Sequence, residues 1–171
     1  LVLLLNSDTI VPRGSIDNLV VALTSNPDVA IAGPRLLSRD GKLELSFGSM
    51  ISPISEIRQK LLHWSLNSKV RLLSNWVEKR ARYPHHPDWV SGACLLVRRY
   101  DAEAVGLLDE RFFLYTEDVD FCWAVRNKNR LILFTPTSEI VHDRGRSREF
   151  DPKTAHSAYR QSHFAFYKKH H

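Results

Sequence analysis

The stretch LVLLLNSDTIVPRGSIDNLVVALTSNPDVAIAG, residues 1–33, decides the fold class of this chain. It opens with five consecutive apolar residues, which predict a strand over residues 1–5 that is buried on both faces. Apolar residues at helical spacing follow over 16–23, and the Asn26-Pro27 pair predicts the end of that helix. Residues 29–33 predict a second strand. The order strand, helix, strand indicates parallel pairing of the two strands in an α/β sheet.

The remaining elements fit the same class. Turn residues predict a hairpin at Asp40-Gly41. Helical spacing predicts an amphipathic helix over 53–80, a short helix that ends at Gly106, a helix over about 117–129 and a C-terminal helix over about 153–170. Apolar runs predict a strand over 92–99 and two short strands over 130–136 and 138–143.

Composition predicts a single soluble domain, or part of one, over residues 1–171. Hydrophobic residues make up 43% of the chain and charged residues 25%, which is ordinary for a globular protein. No apolar run approaches the roughly 20 residues that span a bilayer. Cys94 and Cys122 both lie in apolar runs, which predicts buried thiols in a reducing compartment.

The net charge of +5 is unevenly distributed. From residue 126 to the C-terminus, ten Lys and Arg residues stand against four acidic residues. This asymmetry indicates either an anionic partner, such as phosphates, a membrane surface or nucleic acid, or a solvated face near the terminus.

A polar turn, Asn6-Ser7-Asp8-Thr9, directly follows the first predicted strand. Ligands bind outside the carboxyl ends of strands in open α/β sheets. Asp8 could therefore hold a hard divalent cation together with substrate phosphates. It could equally form an ordinary Asx turn.

Three acidic residues, Glu117, Asp118 and Asp120, open the predicted helix after an aromatic segment. Acidic residues in a first turn complement the helix dipole, and Thr116 is a suitable cap, so these residues could simply start the helix. Neighbouring helical residues point in different directions, however. One carboxylate could anchor the turn while the other acts as a general base in a cleft.

A histidine and three arginines near residue 142 are further candidates. His142 ends the predicted strand 138–143 and could be a structural residue or a neutral metal ligand. Arg144, Arg146 and Arg148 surround a Gly and a Ser, which suits phosphate binding on a flexible loop or simple exposure to solvent.

A tryptophan beside a turn of small residues could contact a sugar. Trp89 precedes Ser91 and Gly92. An indole face stacks well on a sugar ring, and glycine permits close approach of the backbone. The alternative is that Trp89 is a core residue.

Four segments in this order, LLLNSDT, WVSGACLLVRR, GLLDERFFLYTEDVDFCWAVR and IVHDRGRS, resemble the family-two nucleotide-sugar glycosyltransferases. The similarity is greatest to the rhamnosyltransferase-like branch that serves cell-wall or O-antigen polysaccharides. It covers nearly the whole chain, and DERFFLYTEDVDFCW is its most specific part. The resemblance implies a GT-A fold, with a mixed, mostly parallel sheet flanked by helices, and an inverting hexosyl or rhamnosyl transfer.

The resemblance also implies roles for the candidate residues. Asp118 matches the catalytic base, with Glu117 beside it in the acidic pair. Asp8 and His142 match ligands of a divalent metal, Mn²⁺ or Mg²⁺, although Asn6 stands where the family has a further acid. The arginines would neutralise the donor diphosphate, and the residues matched to the acceptor side are Trp89, Ser91, Gly92 and Asp120.

The implied partners are a nucleotide diphosphate sugar as donor and a glycan or lipid-linked saccharide as acceptor. A cytoplasmic location, with peripheral contact at the inner face of the membrane, would follow, and no nucleic acid is expected. Family members begin with a strand–helix unit that binds the base and ribose. That unit should precede Leu1, so we expect the chain to be the metal, acceptor and catalytic portion, inactive as a transferase by itself.

Two alternatives remain open. One is a metal-dependent phosphate-ester hydrolase that uses Asp8, Asp118 and His142 as ligands, although such enzymes usually hold two metals with more ligands. The other is a non-enzymatic module that binds anionic surfaces through the basic C-terminal segment.

Overall fold

The computed structural model describes residues 1–52, 77–112, 114–143 and 152–170, with the side chains of 152–156 excepted. The strands in these ranges are β1 (Val2–Leu5), β2 (Thr9–Ile10), β3 (Val29–Leu37), β4 (Leu43–Glu44), β5 (Phe47–Gly48), β6 (Trp89–Val90), β7 (Cys94–Val97) and β8 (Leu131–His142). The helices are α1 (Ser15–Thr24), α2 (Arg99–Ala104), α3 (Glu117–Arg126) and α4 (Pro152–His170). Most of the helix predicted over 53–80 lies outside the described residues, of which 77–80 are helical.

One mixed sheet organises the described part of the chain. Its strand order is β1-β7-β3-β8-β2, with β4 paired to β3, and β5 and β6 form a separate two-stranded sheet. The β3–β8 pair is parallel, whereas the other pairs are antiparallel. The predicted mixed α/β architecture is confirmed, but the expected excess of parallel pairs is not found among the described strands, where only this central pair is parallel.

Strand β3 forms the centre of the fold because it is apolar on both faces. Residues 29–34 are all buried, as expected for a strand covered on two sides. Gly33 is needed on one of these faces, because a Cβ atom there would lie 2.6 Å from the Val90 Cβ. The small sheet of β5 and β6 can therefore pack directly on β3.

The prediction for β1 is wrong in two respects. The strand pairs with β7 and runs antiparallel to it, so β7 lies between β1 and β3 and the two predicted partners are not paired with each other. It is also not buried on both faces, because Leu1 and Leu5 are 53% and 42% exposed. An apolar run alone does not distinguish a central strand from one at the edge of the described sheet.

The other predictions hold with small changes. Helix α1 packs on the sheet through Leu19 and Leu23, which are fully buried. The hairpin turns at Gly41 and the short helix α2 ends before Gly106, both of which have positive φ angles. The two strands predicted over 130–143 are one strand, β8, whose register to β3 shifts after Thr135.

None of the helices in the described ranges combines the length and the apolar character needed to cross a bilayer.

Candidate active site

The carboxyl ends of β1, β3 and β8 lie at one edge of the sheet, where the turn after β1 is held on both sides. The Asn6 N–H donates to the Ala93 carbonyl at 3.0 Å, next to the start of β7. The Asp143 N–H donates to the Asp8 carbonyl at 2.7 Å, and Thr9 pairs with the last residue of β8. The turn is therefore fixed between β7 and the end of β8.

This pairing brings Asp8 and His142 together. The His142 Nε2 atom lies 3.3 Å from Asp8 Oδ1, and its Nδ1 atom lies 3.1 Å from Glu44 Oε2. All three side chains are largely buried. The expectation that Asp8 and His142 lie close together at the sheet edge is met, and their roles as metal ligands remain a prediction.

The chemistry of these three groups fits a divalent cation. A histidine that ligates a metal through one ring nitrogen usually donates its other N–H to a carboxylate, as His142 can to Glu44. His142 Nε2 and an Asp8 oxygen would then be the ligands. Among the described residues, no group of three or more His, Cys, Asp or Glu side chains is arranged to hold a metal. A hard cation here would need further oxygen ligands, such as the phosphates of a substrate.

Glu44 was not among the predicted site residues. It lies in β4, opposite Leu36 across the hairpin that turns at Gly41. The sequence signal was the hairpin itself, because a strand returning along β3 must pass the end of β8. A single glutamate between Leu43 and Leu45 does not reveal that contact.

The acidic pair opens α3 as predicted, and Asp118 is held in place by two backbone donors. The N–H groups of Gly92 and Val119 donate to Asp118 Oδ2 and Oδ1, each at 2.8 Å. Gly92 permits this approach, because a Cβ atom there would lie only 3.2 Å from the Asp118 Cβ. Glu117 is different, since its buried Oε2 atom has no hydrogen-bond partner among the described residues.

The pKa values of both carboxyl groups are raised, which makes their carboxylates more basic, as a general base requires. Burial raises the pKa of Asp118, although the Gly92 and Val119 N–H groups oppose this shift. Burial also raises the pKa of Glu117, and the charge of Asp118 adds to the effect. Pairs of perturbed carboxyl groups are common at functional sites.

The loop before α3 has an unusual backbone. Tyr115 and Thr116 have φ angles of 66° and 71°, in the left-handed region that non-glycine residues rarely adopt. Thr116 precedes the helix as predicted, but its side chain makes no capping hydrogen bond. Strained conformations of this kind collect at functional sites and need support from surrounding structure.

The predicted acceptor residues occupy two places. Ser91 and Gly92 lie in the turn between β6 and β7, with Gly92 against Asp118, and Trp89 begins β6. Trp89 is half-buried and its indole N–H donates to the Ser49 carbonyl at 2.9 Å, so it is partly a core residue.

Asp120 lies elsewhere, because it is about 200° around the helix from Asp118. It is 3% exposed, and Lys169 and His170 bind its two carboxylate oxygens. In this arrangement each oxygen already has a partner on α4, and the predicted contact of Asp120 with an acceptor stays a prediction. The remaining predicted site residues, Arg144, Arg146 and Arg148, lie outside the described residues.

Comparisons with known proteins bear on the identity of the chain. No family model matches it. It is 32% identical, over 168 residues, to N-acetylglucosaminyl-diphospho-decaprenol L-rhamnosyltransferase from two strains of Mycobacterium tuberculosis, with 96% of this chain and 54% of the relative covered. It is 25% identical over 142 residues to the low-salt glycan biosynthesis hexosyltransferase Agl10 of Haloferax volcanii, covering 83% and 42%. The chain thus spans about half the length of these relatives.

A solved structure gives the fold. The crystal structure of GalNAc-T7 with UDP, GalNAc and Mn²⁺ superposes with a TM-score of 0.53 at 13% identity, covering 82% of this chain and 27% of that one. Similarity at this level of identity bears on architecture alone. The resemblance noted in the sequence is confirmed: this chain is a homologue of rhamnosyl- and hexosyltransferases, and its fold is that of a GT-A glycosyltransferase.

Proposed function

We propose that this chain carries the catalytic carboxylate and the metal-binding edge of an inverting glycosyltransferase. The donor would be a nucleoside diphosphate sugar. The acceptor would be a lipid-linked saccharide, a class to which the acceptor named for the mycobacterial relative belongs. The observation that carries the proposal is the fixed carboxylate of Asp118, which lies beside Gly92 at the sheet edge that also holds the Asn6–Thr9 turn.

The two sites are connected through the backbone. Asp118 binds the Gly92 N–H, and the next residue, Ala93, accepts a hydrogen bond from Asn6 at 3.0 Å. The turn that contains Asp8 is therefore only a few bonds from the proposed base. This continuity would place the acceptor hydroxyl and the donor diphosphate at one edge of the sheet.

In the proposed reaction, Asp118 removes the proton from the acceptor hydroxyl as its oxygen attacks the anomeric carbon. A new C–O bond forms on one face of the sugar. The bond from the anomeric carbon to the diphosphate oxygen breaks on the opposite face, and its electron pair leaves with the nucleoside diphosphate. The configuration is inverted.

Asp8 and His142 would hold a divalent cation against the diphosphate, with Glu44 orienting the imidazole. Such a cation supplies positive charge that stabilises the leaving group. GalNAc-T7, which shares the fold, was solved with UDP, GalNAc and Mn²⁺, and this supports the use of a divalent cation.

The test is a transfer assay on the natural full-length protein. A panel of nucleoside diphosphate sugars would be combined with an N-acetylglucosaminyl-diphospho-polyprenol acceptor and Mn²⁺, and the products identified by mass spectrometry. We expect one donor to give a lengthened lipid-linked saccharide and the Asp118→Asn variant to give almost none. Sugar released to water at the same rate without acceptor would instead favour the phosphate-ester hydrolase, and no reaction with any donor would contradict the proposal.

We also propose peripheral contact with the cytoplasmic face of a membrane, where a lipid-linked acceptor is found. Arg160, Phe164 and Lys168 follow one another at four-residue intervals along α4, and all three are exposed. Phe164 is 72% exposed. Basic residues flanking an aromatic side chain suit an anionic lipid surface.

Co-sedimentation tests this contact. We expect binding to phosphatidylglycerol vesicles, weaker binding to phosphatidylcholine vesicles, and loss of binding on Phe164→Glu. Equal behaviour toward both kinds of vesicle would contradict it.

A further inference from the structure

Helix α4 presents one stripe of side chains to the segment that carries the acidic pair. Ser162, Phe166, Lys169 and His170 follow the spacing i, i+4, i+7 and i+8, which places them on one face of a helix. Ser162 and Phe166 are 5% and 0% exposed. The neighbouring Lys168 is exposed and carries the same charge as Lys169.

The end of this stripe binds Asp120 through two side chains, those of Lys169 and His170. The Lys169 ammonium donates to Asp120 Oδ2 at 2.8 Å and to Asp109 Oδ2 at 2.7 Å. The His170 Nε2 atom lies 2.6 Å from Asp120 Oδ1, and its ring packs on Trp123 with centroids 3.8 Å apart. Charge-assisted hydrogen bonds of this kind, made by a buried carboxylate, are among the strongest in proteins.

The start of the stripe binds the other side of the acidic pair. The Ser162 hydroxyl donates to the Leu114 carbonyl at 2.7 Å. Phe166 packs in a small apolar cluster with Phe112 and Val119. Helix α4 therefore contacts the chain at Leu114, before the pair, and at Asp120, after it.

The residues between these two contacts include the strained ones. Tyr115 and Thr116 both have positive φ angles, and Glu117 and Asp118 follow them directly. Two consecutive left-handed residues persist only where the surroundings determine the backbone on both sides. The contacts from Ser162 and from Lys169 supply such support.

We propose that α4 holds the segment 114–120 in the conformation that aims Asp118 at the acceptor, with Ser162 and Lys169 as positioning residues. This inference rests on the proposed function of Asp118. Neither side chain touches the reacting atoms. Lys169 acts by fixing Asp120, two residues beyond the base, and Ser162 acts by fixing Leu114, four residues before it.

The kinetic test compares Lys169 with an exposed lysine, Lys79, in the natural full-length protein. Lys169→Met should lower kcat by on the order of 10–100-fold, the cost of misplacing a catalytic group by about an ångström. The KM for the donor should change little, because the donor contacts lie at the Asp8 turn. Lys79→Met removes the same charge from an exposed site that has no proposed role, and it should behave as wild type. Lys169→Arg restores a cation between Asp109 and Asp120 and should recover most of the turnover.

Hydrogen–deuterium exchange tests the conformational part without substrates. In Lys169→Met, the backbone amides of residues 114–120 should exchange about tenfold faster, whereas those of β3 and β8 should be unchanged. Exchange as slow as in Lys79→Met, or faster exchange throughout the sheet, would overturn the inference. If the wild-type protein transfers no sugar, the proposed function fails while this exchange comparison still decides whether α4 orders the segment.

A second pair of variants makes smaller changes, in case Lys169→Met does not fold. Ser162→Ala removes the single hydrogen bond to Leu114, and Gln161→Ala changes its exposed neighbour. We expect Ser162→Ala alone to lower kcat and to speed exchange at residues 114–116. Equal kcat and equal exchange in the two variants would overturn the role of Ser162.

Discussion

Replacing Asp118 by asparagine tests the proposed chemistry most directly. The substitution keeps the size of the side chain and removes its ability to accept a proton. If Asp118 is the general base, turnover should fall by on the order of 10²–10⁴-fold. Donor affinity should hardly change, because the proposed base would act on the acceptor hydroxyl, whereas the donor diphosphate would bind at the Asp8 turn.

The structure also limits how far this substitution can disturb folding. The two carboxylate oxygens accept from the N–H groups of Gly92 and Val119, each at 2.8 Å. An asparagine has one oxygen, so one N–H would face an amide NH₂ and lose its partner, which costs about 1–3 kcal/mol. Removing a buried charge acts in the opposite direction, because burial disfavours the ionised carboxylate.

These magnitudes separate a catalytic loss from unfolding. A domain that is stable by about 5–15 kcal/mol keeps at least about 2 kcal/mol after the worst case, which leaves well over nine-tenths of it folded. A 10²–10⁴-fold loss of turnover corresponds to about 3–5 kcal/mol in the activation free energy. Such a loss cannot come from the small unfolded fraction.

The assay is initial-rate transfer at saturating donor, with donor binding followed by calorimetry and folding followed by thermal melting. Glu117→Gln is the matched control, because it neutralises the adjacent residue of the pair. If Glu117→Gln abolishes turnover and Asp118→Asn is mild, the unpartnered Glu117 oxygen is the base and the assignment is refuted.

The pH dependence gives a second readout on the same residue. Burial raises the pKa of Asp118, and a general base works only in its deprotonated form. As the pH falls through the raised pKa, the carboxylate is protonated and kcat is lost. The acidic limb of kcat should therefore lie above about pH 4, the ordinary pKa of aspartate. A limb at or below that value would mean that the base is not buried as described.

Three further outcomes follow from single contacts. Gly92→Ala places a Cβ atom 3.2 Å from the Asp118 Cβ, so kcat should fall while the melting temperature changes little, and unchanged kcat would show that the base tolerates displacement. Glu44→Gln replaces the carboxylate that contacts His142, so the affinity for Mn²⁺, measured by titration, should fall about 10–100-fold. An unchanged affinity would exclude an orienting role for Glu44. Burial raises the pKa of Cys94 to about 12. A thiol reagent should therefore leave Cys94 unmodified in the native protein and modify it in denaturant. Rapid labelling of the native protein at about pH 8, near the ordinary pKa of a thiol, would contradict the burial of Cys94.

Local signals in the sequence were sufficient to predict the position of a residue where its environment is determined by its near neighbours in the chain. The spacing of Leu19 and Leu23 predicts the buried face of α1, and the acidic residues after Thr116 mark the start of α3. The proximity of Asp8 and His142 was also predictable, because both follow strands whose ends reach one edge of the sheet. The contact that organises them, from Glu44 to the His142 Nδ1 atom, joins residues 98 positions apart and has no local signature.

Strand order shows a different limit. Residues 1–5 and 29–33 have the same apolar character, yet β3 is buried at the centre of the sheet whereas β1 is exposed beside β7. The difference depends on β7, which runs antiparallel between them and comes much later in the chain, at Cys94–Val97. A strand is buried only when it has neighbours on both sides, and a run of apolar residues does not indicate how many neighbouring strands it has.

The acidic pair shows how the fold distinguishes residues that the sequence leaves equivalent. Glu117, Asp118 and Asp120 all lie in the first turn of α3, and dipole considerations treat them alike. Successive positions are separated by about 100° around a helix, so Asp118 reaches the turn at Gly92 while Asp120 reaches Lys169. In any other rotation of the helix, Asp120 would lose its contacts with Lys169 and His170, and Asp118 would lose the hydrogen bond from the Gly92 N–H. The contacts of Asp120 with α4 and the small size of Gly92 thus select the same rotation of α3, and that rotation is what presents Asp118 at the sheet edge beside the Asp8 turn.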